Sequence, residues 1–338
     1  MRNKVSLKDI AQKVGVSTAA VSYALNKGKE GKVSDEMAAK IRAAAKELNY
    51  QPNQIAKSLK MGRTNTLGLI LADVSNPFFS SIARVIEDEA KEHGYTVIFG
   101  SSDEKPERSW DLINVLLNRQ VDGVIIVPSE SSEEQILYLK EQKVPFVLID
   151  RYFPEIPSSF VALDNHRAAY EAVMHLARMG RRRIGMLAYK TNLYHMQERK
   201  RGYQEALLDV GLTMSKNWLK EVKYGDIKNG VKNAIDGMLS NGEPIDALFF
   251  ATNTLAINGL KYIDKLKLKV PDDLAIVSFD EGEAFDFYYC PLTYVRQPVY
   301  EIGKGAVQLL LDQIESSNGR IGQIQFDPEL IIRKSSGA

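Results

Sequence analysis

The stretch from Ser6 to Ser22 narrows the fold more than any other part of this 338-residue chain. Leu7, Ile10, Ala11 and Val14 recur at i, i+3, i+4 and i+7, so they form one apolar face of a short helix. Ser6 can cap that helix, and Asp9 sits where the positive end of its dipole favours a carboxylate. Gly15 breaks the helix, and Ser17 caps a second one that carries Ala20, Val21 and Leu25 inward. Two short helices joined by a tight glycine turn predict a helix-turn-helix, whose second helix can enter the DNA major groove. Ser34 opens a third helix with Ala38, Ile41, Ala45 and Leu48 as its buried stripe. Asn49-Tyr50-Gln51-Pro52 ends it, because the residue before a proline is pushed away from helical geometry. The next segment, Asn53 to Lys60, holds good helix formers with little to bury. By composition alone it reads as a linker; a helix so short would form only against a second copy or DNA.

Charge follows the same division. Residues 1–60 hold twelve Lys and Arg against five Asp and Glu, a net of +7, whereas the remainder holds 32 against 38, a net of −6. The total of +1 says nothing about partners. A basic head on a mildly acidic body is the asymmetry that a phosphate-tracking segment produces. A solvated basic face is the commoner origin of such a run, but here the run coincides with the helix-turn-helix spacing.

After Met61-Gly62-Arg63-Thr64 the pattern becomes alternating strands and helices. Leu67 to Ala72 is a continuous apolar run, as buried parallel strands are. Residues 77 to 92 read as a helix, Thr96 to Phe99 as a strand, 107 to 118 as a helix, and Val124–Val127 and Phe146–Ile149 as strands. A second series starts near Asp164, with strands at Ile184–Leu187, Ala247–Phe250 and Ala275–Ser278 and a helix over 199–209. Two such series predict an α/β body of two doubly wound parallel-sheet subdomains, with a ligand between them at the strand carboxyl ends. With 44% apolar residues the chain can fill two cores beside the head. Its one cysteine, Cys290, excludes an internal disulfide and fits a reducing compartment. No apolar run approaches the roughly 20 residues that span a bilayer, and Met1 to Val5 lacks a signal-peptide core, so a cytoplasmic protein without a membrane span is expected. His93, His166, His175 and His195 lack metal-ligand spacing, and no phosphate-binding glycine loop or nucleophile elbow is present. No catalytic residue, metal or cofactor is expected.

The pattern Leu7-x-Asp9-Ile10-Ala11 through Gly15-Val16-Ser17 and Val21-Ser22, then Leu48-Asn49-Tyr50-x-Pro52-Asn53 through Ala56-x-Ser58-Leu59, resembles the lac/galactose repressor family of bacterial transcription regulators. The resemblance extends through the body and covers nearly the whole chain. It implies a helix-turn-helix head (1–52), a hinge helix (53–62), and a body of the periplasmic-binding-protein type. The body would divide into an N-subdomain (63–163 and 296–323) and a C-subdomain (164–295 and 324–338). It also implies that Thr18, Ala19 and Tyr23 read bases, and that Ser6, Ser17, Ser22, Asn26 and Ser34 contact phosphates. Short Thr18 and Ala19 suit a thymine methyl or one hydroxyl hydrogen bond, whereas phosphate contacts position without specifying. Paired hinge helices would wedge Leu59 into the minor groove with Ala56 beside it. Two heads reading double-stranded operator DNA imply a homodimer. The stretch Asn26 to Ser34 is longer than the family connection. The chain ends without a leucine heptad, which favours a dimer over a tetramer.

In sugar-binding members of the family, the positions matching Phe78, Phe79, Asp150, Arg199, Asn253 and Asp280 line an effector cleft. Carboxylates, an arginine fork and aromatic faces suit a polyhydroxyl ligand. Taken singly, the two phenylalanines read equally as core, Asp150 with Arg151 as a structural ion pair, and Asp280 as a loop cap. Three features depart from the family or extend it: Asn253-Thr254 stands where Asn-Asp is usual, Gly180 precedes three arginines rather than a histidine, and Phe285, Phe287, Tyr288 and Tyr289 form an aromatic cluster near the expected cleft mouth, which suits stacking on a sugar ring or, equally, packing within a subdomain. Tyr152, Tyr189 or Tyr194 could join that cluster. Arg151 and Arg199 would also accept a carboxylated or phosphorylated sugar. The function implied is a repressor switched by a sugar or sugar derivative, the alternative being control by a protein partner. A periplasmic sugar-binding protein shares such a body but would carry a signal peptide and lack the head.

Overall fold

The computed structural model describes residues 5–25, 32–51, 62–240, 242–316 and 320–338. They fall into two separately compact units, Met1–Thr64 and Asn65–Ala338. Asn26, Ala56 and Leu59, named above as DNA contacts, lie outside the described residues.

The first unit holds three helices, α1 (Leu7–Val14), α2 (Thr18–Leu25) and α3 (Asp35–Glu47). The Ser6 backbone N–H donates to the Asp9 carboxylate at 2.7 Å, tying down the start of α1. Gly15 ends it at φ +75°, with its N–H on the Ala11 carbonyl at 2.9 Å. That left-handed geometry is what glycine tolerates without a Cβ clash. Ile10, Val21 and Ile41 are fully buried, one from each helix, with Ala11, Ala24 and Ala44 filling the space between them. The Arg42 Nε donates to the Ala24 carbonyl at 3.3 Å, covering an otherwise open end of α2.

The second unit alternates strand and helix. It begins with β1 (Thr66–Leu71), α4 (Pro77–Glu92), β2 (Thr96–Ser101), α5 (Pro106–Asn118), β3 (Gly123–Ile126), α6 (Glu133–Glu141), β4 (Phe146–Ile149) and β5 (Phe160–Leu163). It continues with α7 (Asn165–Arg178), β6 (Ile184–Tyr189), α8 (Tyr194–Asp209), β7 (Leu219–Val222), α9 (Ile227–Leu239), β8 (Ala247–Phe250), α10 (Asn253–Lys265), β9 (Ala275–Phe279), α11 (Ala284–Phe287) and β10 (Thr293–Arg296). The chain finishes with α12 (Val299–Glu315), β11 (Gln323–Phe326) and β12 (Glu329–Ile331).

Two six-stranded sheets result, ordered β2-β1-β3-β4-β5-β11 and β7-β6-β8-β9-β10-β12. Every pairing is parallel except that of β12 with β10. Strand alternation sorts the apolar side chains onto both faces. Leu67, Leu69 and Leu71 pack with Ile82 and Ile86 of α4 and Ile302 of α12, while Ile70 joins Ile113 and Leu116 of α5 on the other face. Helices therefore cover both faces, as a parallel sheet requires.

The crossings between the sheets differ from the expected boundaries at the second return. Strand β11 lies wholly in the first sheet, pairing with β5 from Gln323↔Phe160 to Phe326↔Leu163. The chain therefore recrosses after Phe326 and not at 323/324, because Ile324 and Phe326 pack against the first subdomain's core. At the first return the difference is one residue, since β10 stays in the second sheet through Arg296.

In α8, Gly202 sets the approach of α7. A Cβ built on it would stand 2.1 Å from the His166 carbonyl oxygen, a backbone atom that cannot rotate away. Gly202→Ala is therefore expected to cost about 2–3 kcal/mol through forced separation of the two helices. Urea denaturation of the variant checks this; an unchanged midpoint would mean that the helices give way freely.

Candidate functional site

The DNA-facing candidates lie on α2 and at the helix starts. Thr18 and Ala19 are exposed in the first turn of α2. Tyr23, one turn on, is half-buried, with the Lys32 ammonium 5.2 Å from its ring centroid. Ser17 Oγ accepts from the Ala20 N–H at 3.2 Å and Ser34 Oγ from the Met37 N–H at 3.4 Å. Each hydroxyl is thus fixed by its cap while its own hydrogen can still reach a phosphate oxygen. Ser6 differs, because its hydroxyl already donates to the Asp9 carboxylate at 2.8 Å. Ser22 is half-buried in α2.

In the second unit, a cavity of about 460 Å³ opens at the carboxyl ends of both sheets. Of the six candidate effector residues, Phe78, Phe79, Asp150, Arg199 and Asp280 line it. Asn253 stands between the lining residues Thr252 and Thr254, and its amide donates to Asn76 Oδ1 at 3.3 Å, linking the two subdomains. Local sequence explains these placements. Asn76 caps α4 by accepting from the Phe78 N–H at 3.1 Å, and Pro77 follows at a position that needs no donor. The first turn then packs Phe78 and Phe79 edge to face, centroids 5.1 Å apart, so both are core and cavity wall at once. Asp150 ends β4 and Asp280 ends β9, equivalent strands of the two sheets, at φ +65° and +67°. Aspartate is among the few non-glycine residues that tolerate this left-handed backbone, so each strand can turn sharply where its carboxylate meets the cavity.

The charged groups form one buried network. Arg151 donates from both Nη atoms to the two Glu104 oxygens at 2.7 Å each, and from Nη1 to the Pro128 carbonyl at 3.2 Å. The pairing of Asp150 with Arg151 is the weaker contact, Nε to Oδ2 at 3.4 Å. Burial opposes the Arg151 charge, but Glu104 outweighs it and holds the guanidinium firmly protonated. Arg199 donates from Nε to Asn165 Oδ1 at 2.8 Å and from Nη1 to the Ala251 carbonyl at 2.6 Å, and its guanidinium carbon lies 3.4 Å from the Phe279 ring centroid. Burial lowers its pKa, with Asp280 and Asp150 pulling the other way. Burial also raises Asp150 to about 6, against the pull of Arg151 and Arg199. Asp280 rises for the same reason, although its carboxylate accepts from Gln297 Nε2 at 2.6 Å. Burial first, then the two arginines, keeps His195 neutral well below its usual range.

Three buried polar atoms on residues that line the cavity make no hydrogen bond within the protein: Arg151 Nε, which has only the longer ionic contact with Asp150, His195 Nδ1 and Gln297 Oε1. A buried donor or acceptor left unmatched costs about 1–3 kcal/mol, which a polar ligand can recover. Among the described residues, no group of three or more His, Cys, Asp or Glu could hold a metal ion.

The expected aromatic cluster is not part of this wall. Phe285 is fully buried in the second subdomain's core beside Tyr294, and Tyr289 accepts the Val270 N–H through its hydroxyl at 2.7 Å. Phe287 is 87% exposed, and none of the four residues lines the cavity. Tyr152 stacks on Phe160 at 3.9 Å and meets Tyr194 at 5.1 Å, also away from the cavity lining. Phe285 belongs to the core and Tyr152 to a packed ring pair, whereas Phe287 and Tyr289 are largely exposed. The cavity's own aromatic pair is Tyr189 and Tyr224, stacked at 3.9 Å and 18°. Glu104 and Gln297 were not among the candidates, although both follow strands (β2 and β10) as Asp150 and Asp280 do. His195 sits one helical turn before Arg199, a spacing that places both on one face of α8. Tyr224 carries no local signal.

Residues 6–53 match the family described as "Bacterial regulatory proteins, lacI family", and residues 173–336 match a periplasmic binding protein-like domain. The HTH-type transcriptional repressor CytR of Escherichia coli (strain K12) is 33% identical over 333 residues, covering 98% of this chain and 96% of that protein. The structure of the lac repressor dimer bound to operator and the anti-inducer ONPF shares the fold, with a TM-score of 0.87 at 23% identity over 99% of this chain and all of that one. A transcriptional regulator CelR–cellobiose complex matches with a TM-score of 0.73 at 25% identity, over 98% of this chain and 100% of that chain. With an exposed recognition-helix start in the head and a charged cavity at the strand ends of the body, the chain belongs to the lacI family of bacterial regulatory proteins and is a DNA-binding transcriptional regulator.

Proposed function

We propose that this regulator is a repressor that acts as a homodimer on a two-fold operator and changes its operator affinity when a sugar or sugar derivative occupies the cavity between the two sheets. The head carries base contacts on Thr18, Ala19 and Tyr23. Phosphate contacts fall to Ser17, Ser22 and Ser34 among the described residues, with Ser6 left to cap α1. Asn26, Ala56 and Leu59 keep the roles that the resemblance implies. A protein that reads operator DNA works in the cytoplasm, and no described helix is long and apolar enough to cross a membrane.

The single observation that carries the effector reading is the Arg199 guanidinium placed within electrostatic reach of both Asp150 and Asp280 in the cavity wall. A hydroxyl can accept from the first and donate to either of the others, and vicinal hydroxyls can do both at once. The stacked Tyr189–Tyr224 pair supplies apolar surface for a ring face. The cellobiose complex of CelR supports the same ligand class. A thermal-shift screen of purified protein against sugars, sugar acids, sugar phosphates and nucleobases tests the reading. A rise in melting temperature with a sugar compound is expected; a rise with nucleobases alone would contradict it.

The pH dependence is specified by Asp150. Its folded pKa, about 6, is raised above its ordinary value by burial. The stability it contributes is therefore present below about pH 4 and is lost as pH rises through 6. Ligand hydroxyls need the ionised carboxylate as acceptor, so affinity runs the opposite way. Below pH 6 it is expected to fall about tenfold per unit, with a plateau above pH 7. Calorimetric titration between pH 5 and 8 with the stabilising compound checks this, and Asp150→Asn should flatten the profile.

A further inference from the structure

We propose that the cavity selects an uncharged polyhydroxyl ligand and excludes its phosphorylated and carboxylated derivatives. This rests on the reading of the cavity as the effector site and names the ligand class within it. Two arginines in the wall suggest at first an anion site, but the hydrogen bonds show otherwise. A phosphate or carboxylate is held best by a guanidinium that offers two parallel N–H groups. The Arg151 fork is already closed, both Nη atoms being bound to Glu104 at 2.7 Å and one also to the Pro128 carbonyl. Arg199, its guanidinium carbon 3.4 Å from the Phe279 ring centroid, spends Nε and one Nη1 hydrogen on Asn165 and Ala251.

The remaining charge in the wall is negative. Asp73, Asp103, Glu104, Asp150 and Asp280 line the cavity, five carboxylates against two guanidiniums. Of these, Asp103 is met by Arg108 outside the lining. Asp150 and Asp280 are about 95% buried, where water screens a like charge poorly. His195 adds no compensating charge, since burial and both arginines keep it neutral. Beside the Arg199 hydrogens not spent on Asn165 and Ala251, the buried polar atoms of the wall without a hydrogen-bond partner are the Arg151 Nε, the His195 Nδ1 and the Gln297 carbonyl oxygen. Such a mixture of donor and acceptor suits hydroxyls, whereas a bound anion would need donors alone. Selection against the anion thus comes from repulsive groups as much as from attractive ones.

Matched pairs test this: D-ribose with D-ribose 5-phosphate, D-glucose with D-glucose 6-phosphate and D-gluconate, and cellobiose with cellobionate. Each is measured by thermal shift and calorimetry on the full-length wild type, Glu104→Gln and Arg199→Ala. A neutral compound is expected to bind, its charged partner to bind at least about 100-fold more weakly, and Arg199→Ala to lose both. Glu104→Gln frees the Arg151 fork and is expected to improve binding of the charged partner about tenfold or more. Equal or tighter binding of a charged partner by the wild type, lost in Arg199→Ala, would overturn the exclusion while leaving the effector site in place. No binding by any compound in either set would overturn the sugar reading together with the exclusion. Binding that survives unchanged in Arg199→Ala would move the ligand out of this cavity.

Discussion

Arg199→Ala is expected to destabilise the body by about 3–5 kcal/mol and to abolish the effector response, the largest effect among single changes in the cavity. Arg199 is 3% exposed and makes three separate interactions, with Asn165, Ala251 and the Phe279 ring. Its removal leaves Asp150 and Asp280 buried without the cation that lowers both of their pKa values. Asn165 and Ala251 lose a charged donor, and the two buried carboxylates lose a cation that stabilises them at longer range than a direct ion pair, Asp150 keeping Arg151. Part of the loss should return at low pH, where the two aspartates protonate. Urea unfolding at pH 7.5 and pH 5 measures this. A variant whose stability loss is the same at both values would contradict the electrostatic origin. Arg199→Lys keeps the charge but not the planar fork, so it should recover stability more than ligand response.

Ile41→Ala is expected to remove operator binding without touching the body. Ile41 is fully buried where α1, α2 and α3 meet, and only Ile10 and Val21 match it there in depth. Truncating a buried isoleucine to alanine typically costs 2–5 kcal/mol, about the whole stability of a domain with so small a core. The two units are separately compact, so the thermal transition of residues 65–338 should remain. Calorimetry with electrophoretic mobility shift on the same preparation reads both. Retained operator affinity would mean that DNA alone can order the weakened head.

These predictions draw unequally on sequence and structure. The head was legible because each 8-residue helix announces itself by apolar spacing, and Gly15, Ser17 and Ser34 punctuate the ends with residues whose backbone roles are local. Most buried strands were legible as apolar runs, but β5, only four residues long, was not read although it is fully buried. Strands β7 and β12 were not read, since they are half-exposed sheet edges without an apolar run. Which sheet β11 joins depends on long-range packing of Ile324 and Phe326, and no short pattern carries that information. The same distinction runs through the cavity. Asp150 and Asp280 could be picked out just past strand ends, whereas Arg199, expected to open its helix, lies in the second turn of α8, which starts at Tyr194. The partner that closes Arg151 is Glu104, 47 residues away, and its bidentate geometry reverses the ligand charge that two arginines suggest. Aromatic density around Phe285 to Tyr289 left two readings open for a physical reason: ring count does not distinguish a core from a binding face.

Occupation of the cavity should alter operator affinity. The direct measurement is fluorescence anisotropy on an operator selected from a random DNA pool, titrated with wild type and with Asp280→Ala, with and without the compound that stabilises the wild type. The account predicts a two-fold symmetric selected site, an affinity change of about 5- to 150-fold for the wild type, and none for Asp280→Ala. Equal operator affinity with the cavity empty and saturated would contradict it.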